Sequence, residues 1–134
     1  MNEKTLKEKI LEGITVDYKD SLEKNFNLAK QFIRITKEGR VDVLVKEKLI
    51  GTDKILLYFI GKLYSKEAGL SPTDYVTNKE LSEELGININ SVLPWLKDLR
   101  DRRIIHPIKD GVNVMSISFV EQTLKRIESK VSKQ

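Results

Sequence analysis

VTNKELSEELGININSVLPWLKDLRDRRII, residues 76–105, decides the fold. It reads as two helices joined by a tight turn. Thr77 precedes Glu80 by three residues, the spacing of a capping box. In that motif the Thr hydroxyl accepts from the Glu80 amide, and the Glu side chain reaches back to the Thr77 amide. Val76 before the cap and Leu81 inside the helix form a hydrophobic staple that sets how the chain enters. Leu81 and Leu85 share one face, with Lys79, Glu83 and Glu84 on the others. Gly86 ends the helix, because glycine takes the left-handed C-cap conformation without steric cost.

The second helix follows ININ. Asn88 is a good N-cap residue. Pro94 would then lie deep in the helix, where its missing backbone bond costs about 3 kcal/mol. A cap at Asn90 or Ser91 brings Pro94 near the first turn, and we expect the helix to start there. Val92, Leu96, Leu99 and Arg103 then share a face, with Trp95 at its edge. Asp110-Gly111 is a hairpin signal, since a type I′ turn needs positive φ at both central positions. Ile104, Ile105 and Ile108 precede it, and Val112, Val114 and Ile117 follow.

This order resembles the winged helix-turn-helix superfamily of prokaryotic transcription regulators. The resemblance rests on Leu81-Ser82-Glu83-Glu84-Leu85-Gly86, Ser91-Val92, Leu96-Lys97-Asp98-Leu99, Ile104-Ile105 and the Asp110-Gly111 hairpin, and covers roughly residues 51–134. It implies a fold that is mainly α with small β-hairpins (α+β). It also implies double-stranded DNA as partner, with the second helix in the major groove and the hairpin against the backbone or minor groove. Winged helices also serve as protein-binding modules.

Composition bounds the alternatives. The 134 residues suit one domain with a core, or a small domain plus an extension. We divide the chain into a helical and β-hairpin extension, 1–50, and the winged domain, 51–134. No apolar run approaches the ~20 residues that span a bilayer, and MNEKTLKEKILEGI has no signal-peptide core, so we read the chain as cytoplasmic. The absence of cysteine excludes disulfides and thiolate metal sites. The single histidine, His106, cannot build a usual zinc site and reads as an ordinary strand-end residue. The carboxylates are scattered over solvated helix faces, so we expect no enzyme, cofactor or metal. A net charge of +4 is compatible with nucleic acid without demanding it.

Taken in order, residues 4–14 predict a helix carrying Leu6, Ile10, Leu11 and Ile14. Asp17 or Asp20 can cap a second, whose stripe is Tyr18, Leu22, Phe26, Ala29 and Ile33, widened by Leu28 and Phe32. That stripe packs on its own domain or on a partner. The alternation of Ile33 and Ile35, then Val41, Val43 and Val45, around Lys37-Glu38-Gly39-Arg40 predicts a hairpin that must pack on something. Residues 46–51 read as a connector. Thr52 then caps a helix in which Ile55, Leu56, Leu57, Phe59, Ile60 and Leu63 are apolar nearly all round, hence buried on several sides. Tyr58 and Tyr64 read as packing residues. At the end, Val120, Leu124, Ile127 and Val131 form a heptad-like seam about two heptads long. It packs on the domain's first helix or makes a homodimer.

The candidate DNA-binding residues are Asn88, Asn90, Ser91, Leu93, Lys97, Arg100, Arg102, Arg103, Lys109 and Asn113. Asn90 and Ser91 suit base edges, and Leu93 suits a thymine methyl. Lys97, Arg100, Arg102, Arg103 and Lys109 suit phosphates. Asp98 and Asp101 would repel a backbone unless only the N-terminal half of the helix enters the groove. The same Lys and Arg residues also fit a solvated face with pairs such as Asp98 with Arg102. Leu93-Pro94-Trp95 is an apolar cluster, and exposed it marks a protein interface. The leading expectation is a dimeric DNA-binding transcription regulator; the alternative is a protein-binding adaptor.

Overall fold

Ile55, Leu57, Phe59, Ile60 and Leu63 lie on one helix and are all fully buried, which requires neighbours on every side. The computed structural model describes residues 3–13 and 17–132 and supplies those neighbours. The elements run α1 (Leu6–Gly13), α2 (Tyr18–Lys24), α3 (Phe26–Ala29), β1 (Ile33–Ile35), β2 (Val41–Val43) and α4 (Gly51–Glu67). They continue with β3 (Val76–Thr77), α5 (Asn78–Leu85), α6 (Ile89–Asp101), β4 (Ile105–Lys109), β5 (Val112–Met115) and α7 (Val120–Ser132). The architecture is α+β with small antiparallel sheets.

Helix α4 is the hub. The β1–β2 hairpin and α2 pack on it from the N-terminal part, and α5, β5 and α7 from the C-terminal part. One hydrophobic cluster joins Leu22, Phe32, Val41 and Val43 to Leu81, Leu96, Leu99 and Leu124. Gly61 lets the hairpin approach, because a Cβ there would overlap the Val41 side chain. Two phenols fasten α2: the Tyr18 hydroxyl donates to the Leu63 carbonyl (3.1 Å) and the Tyr64 hydroxyl to the Leu22 carbonyl (2.6 Å).

The hairpin pairs Ile33 with Val43 and Ile35 with Val41, and its packing on α4 meets the need of a lone hairpin for a support. The second sheet has the order β3-β5-β4, all antiparallel. Strand β3 holds two residues, Val76 and Thr77, which the sequence presents only as the entry to a helix. The capping box of Thr77 and Glu80, the buried Val76 and Leu81, and left-handed Gly86 at φ 65° all form as expected. Asp17 caps α2.

Several expectations are corrected. Asn88, not Asn90 or Ser91, caps α6, its side chain accepting from the Asn90 amide at 2.8 Å. The earlier start brings Ile89 into the helix and against the core. Pro94 then sits inside the helix, but on its exposed face, where water can take up the carbonyl bond it leaves unmade. Helix α4 starts at Gly51 with Ile50 as an N-cap lacking a side-chain bond, so Thr52 is not the cap. Asn25 breaks the second helix by bonding back to the Ser21 carbonyl (2.8 Å), which turns Phe26 out of the stripe and into solvent. In the β4–β5 turn only Gly111 has positive φ (76°), so the turn is not type I′. The register also slips between Pro107 and Lys109.

Val120, Leu124 and Ile127 are fully buried within the protomer, with Val131 partly buried beside them. They are core against α4 and its neighbours, not a free dimerisation seam. Helix α1 buries no side chain. Of its expected stripe, Ile14 lies outside the described residues. No helix among the described residues is long and apolar enough to cross a membrane.

Candidate nucleic-acid interface

Helix α6 is held from behind. Val92, Leu96 and Leu99 are fully buried, and the half-buried Trp95 ring lies so close over Gly51 that a Cβ there would overlap it. Trp95 therefore packs inward. Its partner helix α5 is fixed by one carboxylate: Glu80 accepts from the Thr77 amide (2.7 Å) and from the Tyr58 hydroxyl on α4 (2.8 Å), with Lys62 at 3.6 Å. Burial, and then the Glu80 bond, push the Tyr58 phenol well above its ordinary range, so it stays a donor. The Asn78 amide donates to the Gly111 carbonyl (2.9 Å), which ties the β4–β5 turn to the start of α5.

This support leaves a defined outer face. Asn88, Asn90, Ser91, Leu93, Pro94 and Lys97 are exposed along α6. Residues 87–96 contain no charged side chain, in a chain that is 33% charged. Charge begins at Lys97, which pairs with Asp101 (3.0 Å), and Arg102 pairs with Asp98 (3.3 Å). Both are exposed i,i+4 pairs, weak enough for the cation to exchange its partner. Exposed Arg103 and half-buried Arg100 have no ion-pair partner among the described residues, and nor has exposed Lys109 on β4. Asp98 and Asp101 sit in the C-terminal half, away from the uncharged first turns.

Asn113 leaves the candidate set. It is 2% exposed on the central strand of its sheet, where Nδ2 donates to Asn78 Oδ1 at 3.5 Å and Oδ1 has no partner. A period of two places it opposite its buried neighbours, but both faces of this strand are covered.

One feature of the face is not visible in the sequence. Ile89 and Leu93, four residues apart, line a groove of about 410 Å³ with Asn78, Lys79, Ser82 and Glu83 of α5. The Ile89–Leu93 spacing is the only local sign of it; the groove itself depends on how α5 and α6 cross. Leu93 is 43% exposed there. A second cleft, of about 500 Å³, lies behind α6 and is lined by Asp53, Asp98, Arg102 and Arg126, whose charges cancel. Among the described residues no cluster of three metal-ligating side chains occurs. The chain matches no protein-family model, no curated protein and no solved structure.

Proposed function

We propose that the chain is a winged helix-turn-helix protein that binds double-stranded DNA in the cytoplasm as a transcription regulator. Helix α6 enters the major groove by its uncharged N-terminal half, and the β4–β5 hairpin is the wing. The observation that carries this reading is the division of α6. Its first turns expose amides, a hydroxyl and Leu93 over a fully buried Val92-Leu96-Leu99 face, and Arg100 and Arg103, which have no ion-pair partner among the described residues, follow at its end. Neutral groups suit base edges, and free cations suit phosphates. The succession α4, β3, α5, α6, β4, β5 in the sheet order β3-β5-β4 is consistent with it.

Two copies would set their α6 helices about one helical turn apart on a pseudo-palindromic site. With Val120, Leu124 and Ile127 inside the protomer, pairing would use the exposed apolar side chains of α1 and Phe26. The test is a titration of duplex DNA at two salt concentrations. Binding that weakens steeply with salt supports the reading. No binding at low salt rejects it and favours the second reading, a protein-binding adaptor, for which exposed Leu93 and Pro94 speak. Trp95, packed on Gly51, contributes little to such a patch.

A further inference from the structure

The α5–α6 groove is lined on the α6 side by Ile89 and Leu93, beside the exposed amides and hydroxyl of Asn88, Asn90 and Ser91. Its rim carries one carboxylate, Glu83, which Lys79 faces at 3.9 Å. Asn90 stands three residues before Leu93, so the two are neighbours on the surface of α6. The most frequent specific contact to guanine is a bidentate Arg or Lys. Residues 87–96 contain neither. Lys97, the first cation along the helix, already faces Asp101.

Each base pair shows a distinct pattern in the major groove, and only the A·T pair offers a methyl group beside an adenine edge that an amide can bond twice. Exposed Leu93 beside half-buried Ile89 fits the methyl, and Asn90 fits the adenine. Resting on the DNA-binding reading, we infer that this groove is a thymine-methyl pocket, and that Leu93 and Asn90 together select an A·T pair in the bound site. Leu93 and Asn90 are the specificity-determining residues. Arg100, Arg103 and Lys109 hold the backbone and carry no sequence preference.

The experiment starts from a pool of randomised duplexes, selected with the full chain. Each thymine of the selected site is then replaced by uracil, which differs only in lacking the 5-methyl group, and Kd is measured for each duplex. One position is expected to lose about fourfold on this replacement, the worth of one buried methyl group. Leu93→Ala should bind the thymine and uracil duplexes equally, and urea unfolding of the variant checks that its fold is kept. A selected site bound without any thymine–uracil difference overturns the inference, as does a difference that survives in Leu93→Ala; both leave the DNA-binding reading standing. Failure to retain any duplex at low salt overturns both together.

Discussion

Arg126 on α7 donates to Asp53 on α4 across 2.8 Å, and Lys130 joins from the next turn at 2.9 Å. Asp53 is 1% exposed, whereas both cations keep a large part of their side chains in water. The pair is therefore asymmetric. Removing both cations strands a buried carboxylate, and Arg126→Ala with Lys130→Ala is expected to cost about 3–5 kcal/mol. Asp53→Asn frees two cations that can turn to solvent, and should cost much less, about 1–2 kcal/mol. Urea unfolding of the two variants measures the difference. Equal losses would mean that Asp53 is not the group that needs a partner.

That ion pair also shows where sequence reading ends. The capping box is legible because Thr77 and Glu80 are three residues apart and their chemistry is local. The left-handed Gly86 and the burial of α4 are legible for the same reason. Asp53 and Arg126 are 73 residues apart, and nothing near either names the other. The local cost of Pro94 argues against Asn88 as the cap, but the packing of half-buried Ile89 on the core and the exposure of the carbonyl that Pro94 leaves unbonded outweigh it. Asn113 shows the converse, a residue whose type suits DNA and whose strand is covered on both faces. The outer face of α6 was readable from periodicity. The groove beside it was not, since a crossing of two helices has no signature in either one.

Gly61 and Val41 set the distance between α4 and the hairpin. Gly61→Ala gains helix propensity of about 0.5–1 kcal/mol. The added methyl meets the branched Val41 side chain, and overpacking costs about 1–3 kcal/mol. A net loss is expected. Val41→Ala in the same chain should recover part of it, so that the double variant is more stable than the sum of the single losses. Strict additivity would show that the hairpin does not touch α4 at this point.

Burial pushes the Tyr64 phenol from 10.0 up to about 12, and Tyr18 and Tyr58 move the same way, burial leading, with Asp74 and Glu80 adding. The unfolded chain loses these protons near 10.0, and the folded one holds them longer. Above that value the folded state binds more protons, so stability falls as pH rises. The contribution is complete below about 10 and for Tyr64 is lost by about 12. Urea midpoints taken across this window should fall, and fall less steeply in Tyr64→Phe. Equal slopes in the two proteins would place the alkaline transition elsewhere.

Arg103 sits just past the end of α6 at φ 61°. The Ile104 amide donates to the Leu99 carbonyl and the Arg103 amide to that of Arg100, each at 2.9 Å, which is the Schellman pattern. Glycine is the usual occupant of that position, since a left-handed residue with a Cβ costs about 1–2 kcal/mol. Arg103→Gly should therefore stabilise the fold by about 0.5–1 kcal/mol, part of the relief being offset by the greater freedom of glycine in the unfolded chain. If Arg103 holds a phosphate, the same variant should bind duplex DNA more weakly and lower the salt slope by about 1. Stability and affinity then move in opposite directions, which is the sign of a strained residue kept for binding. A more stable variant with unchanged affinity would remove Arg103 from the interface, and a less stable one would remove the strain.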